Sequence, residues 1–149
     1  MQTQDVTIEE LRHFSPAVAD VIRELVSQLD SNYQSLSDGD IQGIISDENT
    51  HLFVAKLTSN PEKIVGMFTL VVYRIPYKKK AWIEDVVVDL KYRRQGIAKK
   101  MLGYAIEEAK KNDVKSLNLT SSPTREFANQ IYQELGFEKR DTNVYRMTF

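Results

Sequence analysis

Apolar positions along the chain follow two rhythms, a two-residue alternation and a 3.6-residue stripe, and each change of rhythm marks an element boundary. Residues 5–12 alternate well enough for a first strand. Ser15-Pro16 then supplies an N-cap followed by proline at the first helical position, and Val18, Val21, Ile22, Leu25, Val26 and Leu29 form the stripe behind it. Ser37-Asp38 introduces a short second helix carrying Ile41, Ile44 and Ile45. From His51 the period changes. Leu52–Ala55 reads as a strand, Thr58–Pro61 as a turn and Ile64–Arg74 as a second strand in a hairpin with the first. A third strand covers 80–88.

A helix follows from about Gly96 to Lys111, with Ile97, Ala98, Met101, Leu102, Ala105, Ile106 and Ala109 on one side. Val114–Thr120 returns to strand. Ser122-Pro123 starts a last helix with Phe127, Ala128, Ile131, Tyr132 and Leu135 inward, and Gly136 ends it as a C′ residue. Phe137 and Asn143–Phe149 supply two closing strands. The order β-α-α-β-β-β-α-β-α-β-β predicts an α/β (mixed α+β) fold: a central mixed sheet of about seven strands, flanked by four helices on both faces.

The segment Tyr92–Lys99, Y-R-R-Q-G-I-A-K, closes one strand and opens the most regular helix. A tight turn with one glycine ahead of a helix leaves backbone N–H groups pointing one way, an anion site made of main chain. Arg93, Arg94, Lys99 and Lys100 crowd that helix start, where each cation is unfavourable by roughly 0.3–1 kcal/mol. A bound polyanion would offset the repulsion; a solvated basic patch is the plainer alternative. A P-loop needs G-x-x-x-x-G-K-S/T, and a dinucleotide fingerprint needs G-x-G-x-x-G; the chain has neither, because Gly96 stands alone and Gly103 falls mid-helix.

Composition narrows the classes further. The 149 residues are expected to form one domain, 1–149, and the formal net charge of -1 gives no global field to recruit nucleic acid or membrane. With no cysteine there is no disulfide frame, thiolate metal site or cysteine nucleophile. His13 and His51 have no partner at metal-ligand spacing, so no metal is expected. No apolar stretch approaches the roughly 20 residues that span a bilayer. The N-terminal Met1–Asp5 lacks the order of a secretory signal, so a cytoplasmic location is expected.

Arg93-Arg94-Gln95-Gly96-Ile97-Ala98 fits Q/R-x-x-G-x-G/A, and downstream the chain reads Ala128-Asn-Gln-Ile-Tyr132-Gln-Glu-Leu-Gly136-Phe137. Together with the strand Ile83–Val88, these segments resemble the GNAT superfamily of acetyl-CoA-dependent N-acetyltransferases. The resemblance covers residues 50–149 well and the first 50 in element order. It implies acetyl-CoA as co-substrate, with Arg93 opening the motif and Arg94, Gln95, Gly96, Ile97, Ala98 and Lys99 wrapping the pyrophosphate. Val86 and Val88 would offer main-chain groups to the pantetheine arm, where the strands at 81–88 and 114–120 splay apart.

The same resemblance places Tyr132 where GNAT enzymes commonly carry the tyrosine that protonates coenzyme A sulfur. Tyr132 also lies on the apolar stripe of its helix and fits a core role. Glu84 and Asp85 are the base candidates. On a regular strand they would point to opposite faces, a costly place for a carboxylate unless it is paired or useful. The run Ile83–Val88 is similar to the strand of glucosamine-phosphate N-acetyltransferases, where such acids face the amino-group site; that likeness is poor beyond residue 118. Arg125 stands where many GNAT enzymes have Asn, and contact with a coenzyme phosphate, contact with an acidic substrate group, or plain solvation would each account for it. Tyr77–Lys80 reads as a solvated connection, with docking of an acidic substrate as the other option.

The function these features imply is acetyl transfer to a primary amine of a small molecule, by direct attack. A protein or peptide amine is the rival acceptor. A GNAT-like domain that senses acyl-CoA without turnover is the reading from a different class, and Tyr132 and the two strand acids argue against it. Neither nucleic acid nor membrane is an expected partner, and homodimerisation is left open.

Overall fold

A computed structural model of the chain describes residues 3–149; Met1 and Gln2, the start of the terminus read above for a secretory signal, lie outside the described residues. The chain divides into two compact units, one ending at Leu119 and the other spanning Thr120–Phe149.

The first unit is built on a five-stranded sheet: β1 (Val6–Glu10), β2 (Thr50–Leu57), β3 (Asn60–Arg74), β4 (Lys79–Val88) and β5 (Leu117–Asn118), neighbours in that order. The first three pairings are antiparallel, and β4 pairs β5 in parallel. Leu57 pairs with Asn60, so the turn is Thr58-Ser59 and Pro61 falls inside β3 beside a register shift, tighter than the four-residue turn expected. A bulge frees a proline from the ladder donor that a central strand would require.

Helices α1 (Pro16–Leu29), α2 (Asp38–Ser46) and α3 (Ile97–Lys111) start where the sequence placed them. The Ser15 hydroxyl accepts from the Val18 amide at 3.2 Å, and Ser37 and Asp40 cap each other reciprocally. Ile22 and Leu25 of α1 and Ile41 of α2 pack on Leu52, Val54, Ile64, Met67 and Val87. The alternate residue Phe53 turns the other way, stacking on Phe68 (5.0 Å) and meeting Tyr104 of α3 edge-on (5.5 Å). Helices therefore cover both faces of this sheet.

Gly66 is what lets α3 lie close to β3. A Cβ there would come within 2.9 Å of Met101 Sδ and 3.1 Å of the Val87 carbonyl oxygen. The thioether can swing away, but the strand carbonyl cannot. Gly66→Ala is expected to destabilise the fold by about 1–3 kcal/mol through overpacking, measured by urea unfolding; an unchanged midpoint would mean that β4 yields freely.

In the second unit α4 spans Glu126–Glu134. Ser122 and Pro123 belong to a turn closed by Arg125 N–H on the Ser122 carbonyl at 3.0 Å, not to the helix start. Phe127, expected inward, is in the first helical turn and 60 % exposed. Gly136 follows as C′ at φ 96°.

The expected seven strands reduce to five among the described residues. Phe137 and Asn143–Phe149 alternate like strands but pair with nothing in a ladder, and Val114–Thr120 contracts to Leu117–Asn118. A strand exists only by its partner's hydrogen bonds, which alternation along one chain does not supply.

Candidate active site

Three features at the end of β4 build the site in the first unit. The first is a bulge. Met67 pairs with Val87 and Thr69 with Glu84, so Phe68 alone faces both Asp85 and Val86. Asp85 takes φ 51°, a left-handed conformation that favours glycine and is tolerated by aspartate. The extra residue breaks the alternation beyond Glu84, so that Val87 comes to share the face of Glu84, and both acids are exposed. Exposure does not leave them ordinary carboxyls. Partial desolvation raises the Glu84 pKa and the neighbouring Asp85 charge adds to it, while desolvation alone raises Asp85. Either group holds its proton more tightly than a free side chain.

The second feature is the short ladder beyond β4. Only Ala81 and Trp82 are in register with β5, opposite Leu117 and Asn118. From Ile83 to Val88 the β5 side of the strand carries no ladder partner among the described residues.

The third is the turn into α3. A 3-10 turn, Leu90–Tyr92, is capped by the Asp89 carboxylate, which accepts from Lys91 N–H at 2.9 Å. Gly96 then sits at the N-cap with φ 81°, and no side chain caps α3. The Lys100 N–H bonds to the Gly96 carbonyl at 3.2 Å and begins the helical ladder. Ahead of it, the amides of Ile97 and Ala98 have no intrahelical acceptor. Buried Ile97 anchors the turn, and exposed Gly96 leaves the approach to it open.

The four cations are not equivalent. Arg93 donates its Nε–H to the Val88 carbonyl at 2.9 Å, bracing the turn against the strand end. That oxygen is one of the main-chain groups the resemblance offers to pantetheine, so it is already engaged. Lys100 pairs with Asp5 at 2.8 Å and holds that carboxyl below its usual pKa. Arg94, at φ 59°, and Lys99 are exposed at the turn. Gln95 is half-buried beside them.

In the second unit Tyr132 is half-buried on α4, edge-on to Phe137 at 6.1 Å, and the Phe137 amide donates to the Tyr132 carbonyl at 3.0 Å. Burial raises its phenol pKa, opposed by the nearby Arg125 charge. The hydroxyl thus keeps its proton at neutral pH. Arg125 is exposed at the N-cap of α4.

Two contacts lay outside sequence reasoning. His51 is not isolated: its Nδ1 lies 2.8 Å from Glu10 Oε1 across β1 and β2. Trp82 Nε1–H donates to the Tyr73 hydroxyl at 2.9 Å. The alternation of β3 and β4 could have put those two rings on one face, but only the register makes them diagonal neighbours, with Trp82 opposite Val71 and Tyr73 opposite Lys80. Among the described residues no group of three or more metal-binding side chains converges, and no helix is long and apolar enough to cross a membrane.

Comparison with known proteins places this geometry. The acetyltransferase (GNAT) family pattern matches residues 18–137. A transcriptional regulator from Bacillus halodurans is 27 % identical, with a TM-score of 0.82 over 97 % of this chain and 100 % of that one. An aminoglycoside acetyltransferase from an uncultured soil metagenome, in complex with trehalose, superposes at 0.78 with 22 % identity over 97 % of both chains. Glucosamine-6-phosphate N-acetyltransferase from Arabidopsis thaliana superposes at 0.75 with 19 % identity, over 97 % of this chain and 99 % of that one. No match was found among curated proteins. The chain belongs to the GNAT acetyltransferase family, with a mixed α/β fold of four helices and a five-stranded mixed sheet.

Proposed function

We propose that residues 1–149 act as one N-acetyltransferase domain, in the cytoplasm and without a metal, moving the acetyl group of acetyl-CoA to a primary amine of a small molecule. The observation that carries this reading is the joint presence, on one continuous segment, of the uncapped start of α3 and two carboxyls with raised pKa on a bulged strand. The amides of Ile97 and Ala98, with Arg94 and Lys99, suit a pyrophosphate. Gln95 and Gly96 shape the turn, and Val86 lies along the strand edge that would take the pantetheine arm.

Amine attack requires the neutral amine. Glu84, with a pKa raised toward neutrality, is suited to take the ammonium proton directly or through one water, and Asp85 to hold the cation. The C–N bond forms as the C–S bond breaks, the departing thiolate takes its proton from the Tyr132 hydroxyl, and the second proton, shed by the nitrogen as it becomes an amide, restores the tyrosine through solvent. Arg125 serves as a further anion contact in this scheme. Enzymes named for aminoglycoside and glucosamine-6-phosphate acetylation share this fold, as does a ribosomal-protein-alanine N-acetyltransferase, so the amine panel should include a peptide.

Acetyl-CoA at a hundred times its dissociation constant is expected to add about 2.7 kcal/mol to stability. Thermal melts with and without the ligand check this, alongside coenzyme A release over an amine panel. A melting curve unmoved by acetyl-CoA but raised by ATP or NAD would overturn the assignment of the anion site.

A further inference from the structure

One face of the first unit's sheet is only partly covered. Register puts Thr69, Val71 and Tyr73 of β3 beside Glu84, Trp82 and Lys80 of β4 on the same face as Leu52 and Met67. Leu52, Met67 and Val87 on that face are buried against α1 and α2. Further along, Thr69, Val71, Tyr73, Lys80 and Trp82 are only half-buried, and Glu84 is exposed. Trp82 is the largest side chain on this stripe, and the helices leave part of its indole uncovered in mid-strand.

The ring is also held. Its N–H is spent on the Tyr73 hydroxyl, which fixes the plane and leaves that hydroxyl its own proton to donate. Two residues along the same strand and face stands Glu84, before the bulge begins. At the other end Lys80 Nζ lies 5.5 Å from the Tyr73 ring centre. The stripe therefore runs from a cation, across a fixed aromatic surface, to the Glu84 carboxyl.

We propose that Trp82, oriented by Tyr73, is the acceptor platform and selects amines carried on a ring. The ring's flat C–H or aromatic face would stack on the indole while its single ammonium reaches Glu84. Lys80 would repel the distal charges of a polyamine, so a linear polyamine gains neither the stacking nor the electrostatics. Aryl-alkyl amines and amino sugars share this chemistry. The inference rests on the acetyl-transfer reading for its acceptor but stands on a geometry of its own.

Trp82 is the chain's one tryptophan, so its fluorescence reports on the site in the intact protein. Titration with phenylethylamine and with glucosamine is expected to give a saturable change with at least one of them, and none with spermidine or butylamine. The responding arm identifies the source of the ring. In steady-state assays Trp82→Leu should raise KM for that ring amine about 2–10-fold with kcat nearly held. Trp82→Phe should recover part of the loss, and KM for linear amines should not move. Equal losses for ring and linear amines, or ring amines acetylated by the wild-type chain while Trp82 fluorescence stays silent, would overturn the platform. Should Trp82→Leu fail to fold, the wild-type titration decides alone. Saturable binding of ring amines without any acetylation would keep the platform and refute the acetyl-transfer reading instead.

Discussion

Tyr132→Phe is expected to lower turnover about 10²–10⁴-fold, the usual loss of a positioned general acid, with acetyl-CoA affinity nearly unchanged. The substitution removes one oxygen and keeps the ring that meets Phe137 edge-on, so helix packing is preserved. Burial keeps the phenol protonated at neutral pH, the state an acid needs, although the charge of Arg125 works in the opposite direction. A hydroxyl with only a structural role would reverse the pattern: stability would fall by roughly 0.5–1.5 kcal/mol and the rate would hold. Glu84→Gln is the companion variant. With Glu84 as the base, its raised pKa is expected to put the acid limb of the wild-type pH–rate profile above the usual glutamate range, because the protonated carboxyl cannot accept a proton. Its loss should matter least at high pH, where the amine deprotonates unaided. Near-normal turnover in both variants would leave coenzyme positioning, with solvent carrying the protons, as the source of catalysis.

Gly96→Asp is expected to abolish coenzyme binding while leaving the fold intact. Gly96 holds φ 81° at the uncapped start of α3. Aspartate is one of the residues that visits this left-handed region, so the turn should survive. Its Cβ would lie 3.3 Å from the Thr3 methyl, a close contact that an exposed side chain can relieve by a small shift. The carboxylate itself would stand where a phosphate must come. It would cap the helix in the ligand's place and repel it, for a combined penalty of about 2–5 kcal/mol. Calorimetric titration with coenzyme A, with circular dichroism to verify folding, checks both halves. Normal affinity in a folded Gly96→Asp chain would remove the pyrophosphate from this turn.

The same turn marks the boundary between what was legible in the residues and what was not. Local signals carried the helices. Ser15-Pro16 starts α1, Ser37 with Asp40 starts α2, and the stripe from Ile97 to Ala109 is the buried face of α3. These depend on atoms within a few residues of one another, so the sequence states them directly. α4 was less legible because Ser122-Pro123 imitates a helix start, whereas the Ser122 main-chain carbonyl closes a separate turn onto Arg125 N–H before the helix begins at Glu126.

The acids on β4 show the limit for the site. Their presence beside the Gly96 turn is plain in the sequence, but the break in alternation beside them was not, because a bulge is a mismatch between two strands and is invisible in either alone. Only the pairing of Thr69 with Glu84 and Met67 with Val87 puts the extra residue at Asp85 and exposes both carboxyls.

By itself, then, the sequence determined the helix starts, the glycine turn with its basic residues, and the family to which they belong. The tertiary structure alone decided how many alternating segments become strands, where the alternation of β4 breaks, and how the cations divide. Arg93 is spent on the end of β4 and Lys100 on Asp5, while Trp82 is fixed by Tyr73. Asp5 is distant along the chain from Lys100, Tyr73 meets Trp82 through strand register, and Arg93 reaches the Val88 carbonyl only through the path of the turn between them. Their energies arise only after the sheet has formed, and no local pattern of residues carries that information.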